Sequence, residues 1–325
     1  MHRAHARAAV HFGAESSVRC TFETNPAPAG FFLAVRPVKM RAMPRPRNIT
    51  ALVIALACLL GGTALLAGCA TTSGRETTAN DLDVILAGNQ RTAADRARDV
   101  FRHPKETLLF FGIRPDTRVL QVWPESGWYT KIIAPLLRAR GQYYAGVVAA
   151  APGDRFQAAR LAQYRRLLAS RPDLYGRVKV VPFPLDGGDV LPPGSVNMVL
   201  SFRDLHEWMA LGDAQQALAT IYRVLAPGGV FGVVDNRADP AAPQDPRARS
   251  GYVGQEYAIR MIEAAGFRLV ATSEVNANPK DTKNYPAGVW TLPPDYRLGQ
   301  VNRARYAAIG ESDRFTLKFV KPAGP

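Results

Sequence analysis

The stretch Arg118 to Gly141, RVLQVWPESGWYTKIIAPLLRARG, restricts what this chain can fold into more than any other part of it. Val119 to Val122 is a short apolar run, and a turn holding Pro124, Ser126 and Gly127 follows it. Beyond the turn, Tyr129, Ile132, Ile133, Leu136 and Leu137 recur at the i, i+3, i+4, i+7 and i+8 positions of one buried helical face, and Gly141 is placed to stop the helix in a left-handed conformation. Strand, tight turn and helix form the opening unit of an open α/β sheet. Ligands in such sheets meet the carboxyl ends of the strands and the amide-rich start of the next helix, so the candidate active site is anchored here.

The alternation continues downstream. Gln142 to Val148 reads as a second strand, followed by a helix over Asp154 to Ser170 with Phe156, Leu161, Tyr164, Leu167 and Leu168 on one side. Val178 to Phe183 and Val196 to Phe202 are the third and fourth strands. Asp213 to Leu225 is an amphipathic helix closed by the turn APGG, and Val230 to Val234 is the fifth strand. A helix over Gly254 to Ala265, a strand over Phe267 to Val275 and a last strand over Arg314 to Val320 complete the pattern. Residues 238–250 read as a mobile loop or lid, and Asn278 to Arg297 as a long ordered loop, which in a domain of this size tends to be functional. Upstream, Thr92 to Val100 and Lys105 to Phe111 are helical pieces interrupted at Pro104.

Ionisable side chains crowd one strand end. FRDLHEW, Phe202 to Trp208, brings together Arg203, Asp204, His206 and Glu207 on the edge that also carries the turn after the first strand. Such a cluster can orient a substrate or accept a proton, with His206 the candidate base; the alternative is an ion-paired loop around a helix cap. Asp154 is the N-cap of its helix or a ribose ligand, and Asp186 is an adenine ligand or the first residue of an Asx turn beside Gly187. The chain has no H-E-x-x-H, no phosphate-loop Gly-Lys-Ser/Thr and no cysteine pair after residue 69, which argues against metal-dependent and nucleotide hydrolysis.

The segment WP..GWYT, Trp123 to Thr130, resembles the first motif of class I S-adenosylmethionine-dependent methyltransferases, and more narrowly a family whose turn reads roughly E-x-W-P-G-G-G-W-Y-T. RARDVFRHPKETLLFFGIRP and FRDLHEW are also similar to that family, and helix, Pro-Gly-Gly, strand is common in it. The resemblance spans nearly all of residues 80–322. It implies an α/β, Rossmann-like class I methyltransferase fold: a seven-stranded, mostly parallel sheet with helices on both faces and an antiparallel last strand. It implies S-adenosylmethionine as cofactor, held by Gln121, Trp123, Glu125, Ser126, Gly127 and Tyr129, with Asp154 and Asp186 toward ribose and adenine, and a small-molecule acceptor served by His206, Asp204 and Arg203. The chain departs from the family's pattern where Gln121 replaces an acidic residue, where Glu125 and Ser126 replace glycines, and where the second strand ends in Val147, Val148 and Ala149 without a carboxylate.

Of 41 Lys and Arg against 27 Asp and Glu, residues 1–69 hold eight basic and two acidic, so they carry +6 of the net +14. The remainder is mildly basic with no compact Lys/Arg cluster among exposed aromatics, which speaks against nucleic acid as a partner. From Met43, two arginines precede an apolar run from Ile49 to Ala67, the layout of a secretory signal. Its end, Leu66, Ala67, Gly68 and Cys69, resembles a bacterial lipobox, which implies lipidation at Cys69; a transmembrane anchor is the alternative. Either places the globular part outside the cytoplasm, and the lipobox implies the cell envelope, lipid-anchored, on the periplasmic side of the outer membrane. Residues 1–42 are long for a signal's charged region, and translation from Met43 or Met40 is expected. The domains expected are thus 1–69 leader and extension, 70–79 flexible tether, and 80–325 one methyltransferase-like domain, with no disulfide and no metal. Two functions fit: methyl transfer to a small molecule, or a catalytically inactive lipoprotein that uses the same fold to bind a ligand or partner.

Overall fold

The structure, a computed structural model, describes residues 74–324. The expected leader, with Cys69, lies outside them. The described chain opens with helix α1 (residues 74–87), so the expected tether is helical from residue 74. Thr78 caps that turn by donating from Oγ1 to the Gly74 carbonyl, and Leu82 is fully buried, which is what turns a polar-looking stretch into a packed helix.

Three helices follow, α2 (Ala93–Arg96), α3 (Asp99–Arg102) and α4 (Pro104–Phe111). Then come β1 (Arg118–Val122), α5 (Thr130–Leu137), β2 (Gln142–Val147), α6 (Arg155–Ser170), α7 (Pro172–Tyr175) and β3 (Lys179–Pro182). The second half contains β4 (Val196–Phe202), α8 (Leu205–Leu211), α9 (Ala214–Val224), β5 (Leu225–Asn236), α10 (Gln255–Ala264), β6 (Arg268–Ser273), α11 (Arg303–Ile309) and β7 (Arg314–Val320). One seven-stranded sheet runs in the order β3-β2-β1-β4-β5-β7-β6, and only β7 is antiparallel to its neighbours. The chain reverses direction of travel across the sheet between β1 and β4, and that switch point opens a crevice at the carboxyl ends of the strands.

Both faces of the sheet are covered, which is why β1 and β4 read as apolar runs and not as alternating ones. Leu120 and Val122 pack with α8, α9 and α10; Val119, one step out of phase, packs on the other face with α4, α5 and α6. On α5, Ile132, Ile133, Leu136 and Leu137 are all buried, each contributing about 1.5–3 kcal/mol of burial. An Asp at Ile132 would place a charge where nothing pairs with it. Pro135 sits inside this helix, and the Lys131 carbonyl it deprives of an amide accepts from Gln90 Nε2 at 3.3 Å.

The structure corrects several sequence readings. Gly141 does not take a left-handed conformation; it is required because an added Cβ would lie 2.5 Å from the Thr117 carbonyl and 2.8 Å from that of Pro115. The APGG segment does not precede the fifth strand. It lies within β5, looped out between the pairs Val196↔Leu225 and Met198↔Val230, and held by Gly228 N donating to the Lys321 carbonyl at 2.8 Å. Phe156, expected on the buried side of α6, is 70% exposed. The stretch 238–250, read as a mobile lid, is tied down by Asp245, which accepts from the amides of Arg247 and Arg249, and by Val289 N donating to the Ser250 carbonyl at 2.8 Å.

Candidate active site

A cavity of about 480 Å³ lies at the carboxyl ends of β1, β2 and β3. Trp123, Pro124 and Glu125 from the first turn, Val147 to Ala149 after β2 and Phe183 to Leu185 after β3 form three of its sides; Phe156, Gln157 and Arg160 of α6 and Glu207 and Leu211 of α8 form the rest. This is the size and character of a pocket for a cofactor-sized molecule, apolar walls with few polar groups. Two of those polar groups lack partners: Gln157 Oε1 and Trp123 Nε1 are buried without a hydrogen bond. The donor belongs to the first-turn side and the acceptor to the α6 side, and leaving either unpaired is costly. The exposed ring of Phe156 covers cavity space.

The turn after β1 has the shape of a glycine-rich one without the glycines. Trp123, Glu125 and Gly127 have φ of 43°, 53° and 77°, a region that only glycine enters without strain. A Cβ at Gly127 would also meet the end of the Leu167 side chain, which would have to move aside. Glu125 does not fill the cavity. Its half-exposed carboxylate accepts from Arg160 Nη2 at the rim, which neutralises the charge that the turn would otherwise present to a ligand.

His206 heads α8 just past β4 and is buried. Asp235 at the end of β5, fully buried, holds it twice: Oδ1 is 2.8 Å from Nδ1, and Oδ2 accepts from the His206 amide at 3.1 Å. A carboxylate partner sets Nδ1 as the protonated nitrogen, leaving the Nε2 lone pair free. Burial opposes the imidazolium, but the Asp235 charge and hydrogen bond outweigh it, so His206 titrates above an ordinary histidine. The ring does not line the cavity. Glu207 does, and its Oε1 is 3.8 Å from Nε2, while Trp290, in the 3-10 turn Gly288–Thr291 of the long loop, packs edge-on at 6.0 Å.

The other sequence candidates are placed apart. Gln121 is buried and accepts from Tyr143 Oη at 2.7 Å, in a chain that continues through Thr130 to Tyr164; an amide is cheaper to bury there than a carboxylate. Ser126 is exposed. Asp154 caps α6 by accepting from Gln157 N at 3.0 Å, and Asp186 closes an Asx turn on Gly188 N at 3.0 Å; neither lines the cavity. Asp204 is buried, accepting from Ser201 Oγ and the Phe202 amide, and burial, with Glu125 and Asp235 adding to it, holds its carboxyl well above the usual range. That favours a neutral carboxyl closing the strand-end turn. Tyr129, stacked on Phe202 with ring centres 3.6 Å apart, and Arg203, with φ 71°, line a second crevice and not the cavity. Among the described residues no group of three or more His, Cys, Asp or Glu side chains is placed to hold a metal ion.

Sequence reading therefore pointed to the turn and the edge of the sheet that border the cavity, but not to Phe156, Gln157, Arg160 or Glu207 as cavity walls. Three of these sit on α6, where a helical period reveals which side is apolar but not which end overhangs a cavity.

No family model and no curated protein matches the sequence. Solved structures do. The 4+2 cyclase SpnF aligns with 19% identity over 73% of this chain and 86% of its own, with a TM-score of 0.51. The fold is that of the class I methyltransferases. A SAM dependent methyltransferase from Aquifex aeolicus aligns at 15% identity over 69% of this chain and 93% of its own, TM-score 0.47, and the glycopeptide N-methyltransferase MtfA at 15% over 71% and 100%, TM-score 0.45. At these identities the likeness concerns architecture; what the site does rests on its own residues.

Proposed function

We propose that the protein is an S-adenosylmethionine-dependent methyltransferase acting on a small-molecule acceptor, held in the cell envelope by a lipid on Cys69 on the periplasmic side of the outer membrane. The observation that carries the chemical part is the cavity at the ends of β1, β2 and β3, with its unpaired Gln157 Oε1 and Trp123 Nε1 beside a carboxylate-oriented histidine. The residues fit the cofactor: the apolar walls suit a nucleoside, and Gln157 offers an uncharged acceptor for ribose hydroxyls where the second strand lacks an acidic residue. When bound, S-adenosylmethionine supplies an electrophilic methyl group on sulfur.

The chain's own part is orientation, exclusion of water and proton transfer. Phe156, Phe183 and Leu185 cover cavity space that water would otherwise fill. His206 Nε2 receives the acceptor's proton by way of Glu207, which lines the cavity and has Oε1 3.8 Å from that nitrogen, and Asp235 stabilises the imidazolium that results. Arg160 keeps the Glu125 carboxylate paired at the rim.

A second reading has one observation in its favour. The strained, glycine-poor turn and the engaged Gln121 leave fewer backbone and acidic contacts for the cofactor's amino acid end, which suits a non-catalytic lipoprotein that binds a different ligand in the same cavity. Titration calorimetry with S-adenosylmethionine and S-adenosylhomocysteine decides between them. Saturable binding is expected, and ligand at about 100 times its dissociation constant adds about 2.7 kcal/mol of stability. Absence of binding at millimolar ligand would end the methyltransferase reading.

A further inference from the structure

A second hollow lies on the same edge of the sheet, where β4, β5 and β7 meet α3. Arg102, Arg203 and Arg314 line it with Tyr129, Phe202 and Asn276. Glu311 is the acid they gather around: it accepts from Arg98 Nε at 2.5 Å, Arg102 Nε at 3.0 Å and Arg314 Nη2 at 2.6 Å. One carboxylate thus answers three guanidinium groups. Arg203 brings a fourth; among the described residues its side chain makes no hydrogen bond and no direct ion pair, and although burial opposes its charge, the more distant carboxylates of Glu311, Asp295, Glu125 and Asp235 outweigh that and raise its pKa. Nη2 of Arg98 and Nη2 of Arg102 are buried without partners, and Arg102 and Arg314 are 7% and 2% exposed. Burial, with Arg203, Arg314 and Arg98 adding to it against Glu311, pulls Arg102 down to about 9. Three guanidinium groups sharing one carboxylate, with two of their buried nitrogens lacking an acceptor, form a cluster that is costly unless a further acceptor completes it.

We propose that this crevice binds an anionic end-group, a carboxylate or a phosphate, of the methyl acceptor, with Arg203 and Arg102 as its ligands. The inference rests on the methyltransferase reading above and names the class of molecule that reading left open. Planar guanidinium forks match the oxygens of both groups. The free volume of the hollow is about 10 Å³, room for little more than one water-sized oxygen, so one oxygen of the end-group enters and the rest of the ligand stays outside. Position assigns the anion to the acceptor. Arg203 ends β4 three residues before His206, and Val234, which also lines the crevice, precedes Asp235, the histidine's partner, whereas the nucleoside-sized cavity is formed by the ends of β1, β2 and β3. The anion therefore sits beside the base that takes the acceptor's proton.

The test is calorimetric titration of inorganic phosphate into the full-length, detergent-solubilised protein at fixed ionic strength. Saturable binding is expected, weakened about tenfold or more in Arg203→Gln and unchanged in Arg140→Gln, an exposed residue past the end of α5 that lines neither hollow. Arg203→Lys, which keeps the charge and loses the fork, should fall between, and it stands in if the glutamine variant does not fold. Phosphate binding that does not saturate, or that is equal in wild type and variant, overturns the anion site. A second arm compares S-adenosylhomocysteine with methylthioadenosine, which lacks the amino acid carboxylate. A preference for the former that survives in Arg203→Gln supports the acceptor, and a preference that vanishes assigns the anion to the cofactor and overturns the proposal. Phosphate binding without any S-adenosylhomocysteine binding overturns the methyltransferase reading, and the acceptor with it, while leaving a phosphate site in place.

Discussion

The cavity at the ends of β1 to β3 and the crevice at the ends of β4, β5 and β7 lie on one edge of one sheet and are built of opposite materials. The first is walled by Trp123, Phe156, Phe183 and Leu185 with two unpaired polar atoms; the second by three arginines, two of which, Arg102 and Arg314, bond the buried Glu311. An apolar hollow keeps its shape without an occupant and selects by fit. A charged one needs an internal counter-ion to exist at all, and selects by charge. The two should therefore respond differently to the loss of one side chain, to acid and to salt.

The largest expected effect is on the charged side. Glu311→Gln leaves three arginines without their acid and should cost about 3–5 kcal/mol, read as the shift of the urea unfolding midpoint. A cost under about 1 kcal/mol would mean that the crevice is open to water and the contrast false. Acid tests the same group: burial opposes the Glu311 carboxylate, but Arg314, Arg102 and Arg98 outweigh it and hold its pKa below the ordinary 4.5. Because the folded value is depressed, the stabilisation is complete above about pH 4.5 and fades as pH falls toward the folded value. That acid-side slope should be missing from Glu311→Gln.

Asp235→Asn comes next. It removes the charge that raises His206, so the imidazole resonances should titrate at lower pH than in wild type, and the rising limb of any methyl-transfer activity should move the same way. A fall in rate of about a hundredfold is expected for a misoriented base. Unchanged titration of His206 would show that the pair does not act as a unit. Phe156→Ser should leave stability within about 0.5 kcal/mol, because the ring is exposed, yet weaken nucleoside binding about tenfold through lost apolar contact. The smallest effect belongs to Glu125→Gly. Relief of the positive φ offsets the extra freedom of the unfolded chain and the loss of a half-exposed ion pair, so stability should stay within about 1 kcal/mol while S-adenosylhomocysteine binds more tightly.

Much of the fold was legible because periodicity reports burial: the face of α5 and the double-sided runs of β1 and β4 follow from it, whereas the antiparallel last strand was implied by the family resemblance alone. What was hidden depended on three-dimensional neighbours. Gly141 is needed for the approach of the Thr117 carbonyl and not for a left-handed stop, and the Pro-Gly-Gly of β5 is a loop within a strand. At the site, FRDLHEW marked its place, but its residues separate: Asp204 closes a turn, His206 joins Asp235, and Arg203 turns toward side chains from α3 and β7. Asp154 and Asp186 satisfy local backbone amides, the ordinary use of an aspartate at a helix start or a turn. Of the arginine crevice the sequence showed only Arg203 and Tyr129, each as a separate candidate; Arg102, Arg314 and Glu311 went unseen because they are scattered along the whole length of the domain.

Glu311 bonds partners 213 and 209 positions earlier in the chain, Arg98 and Arg102. A nascent polypeptide that stops short of Glu311 would hold those guanidinium groups with nothing to receive them. The clasp closes only when both extremities of the domain are present, so assembly of this corner belongs at the end of folding, and a chain cut short there should be recognised as unfinished by whatever degrades unpaired charge and open edges.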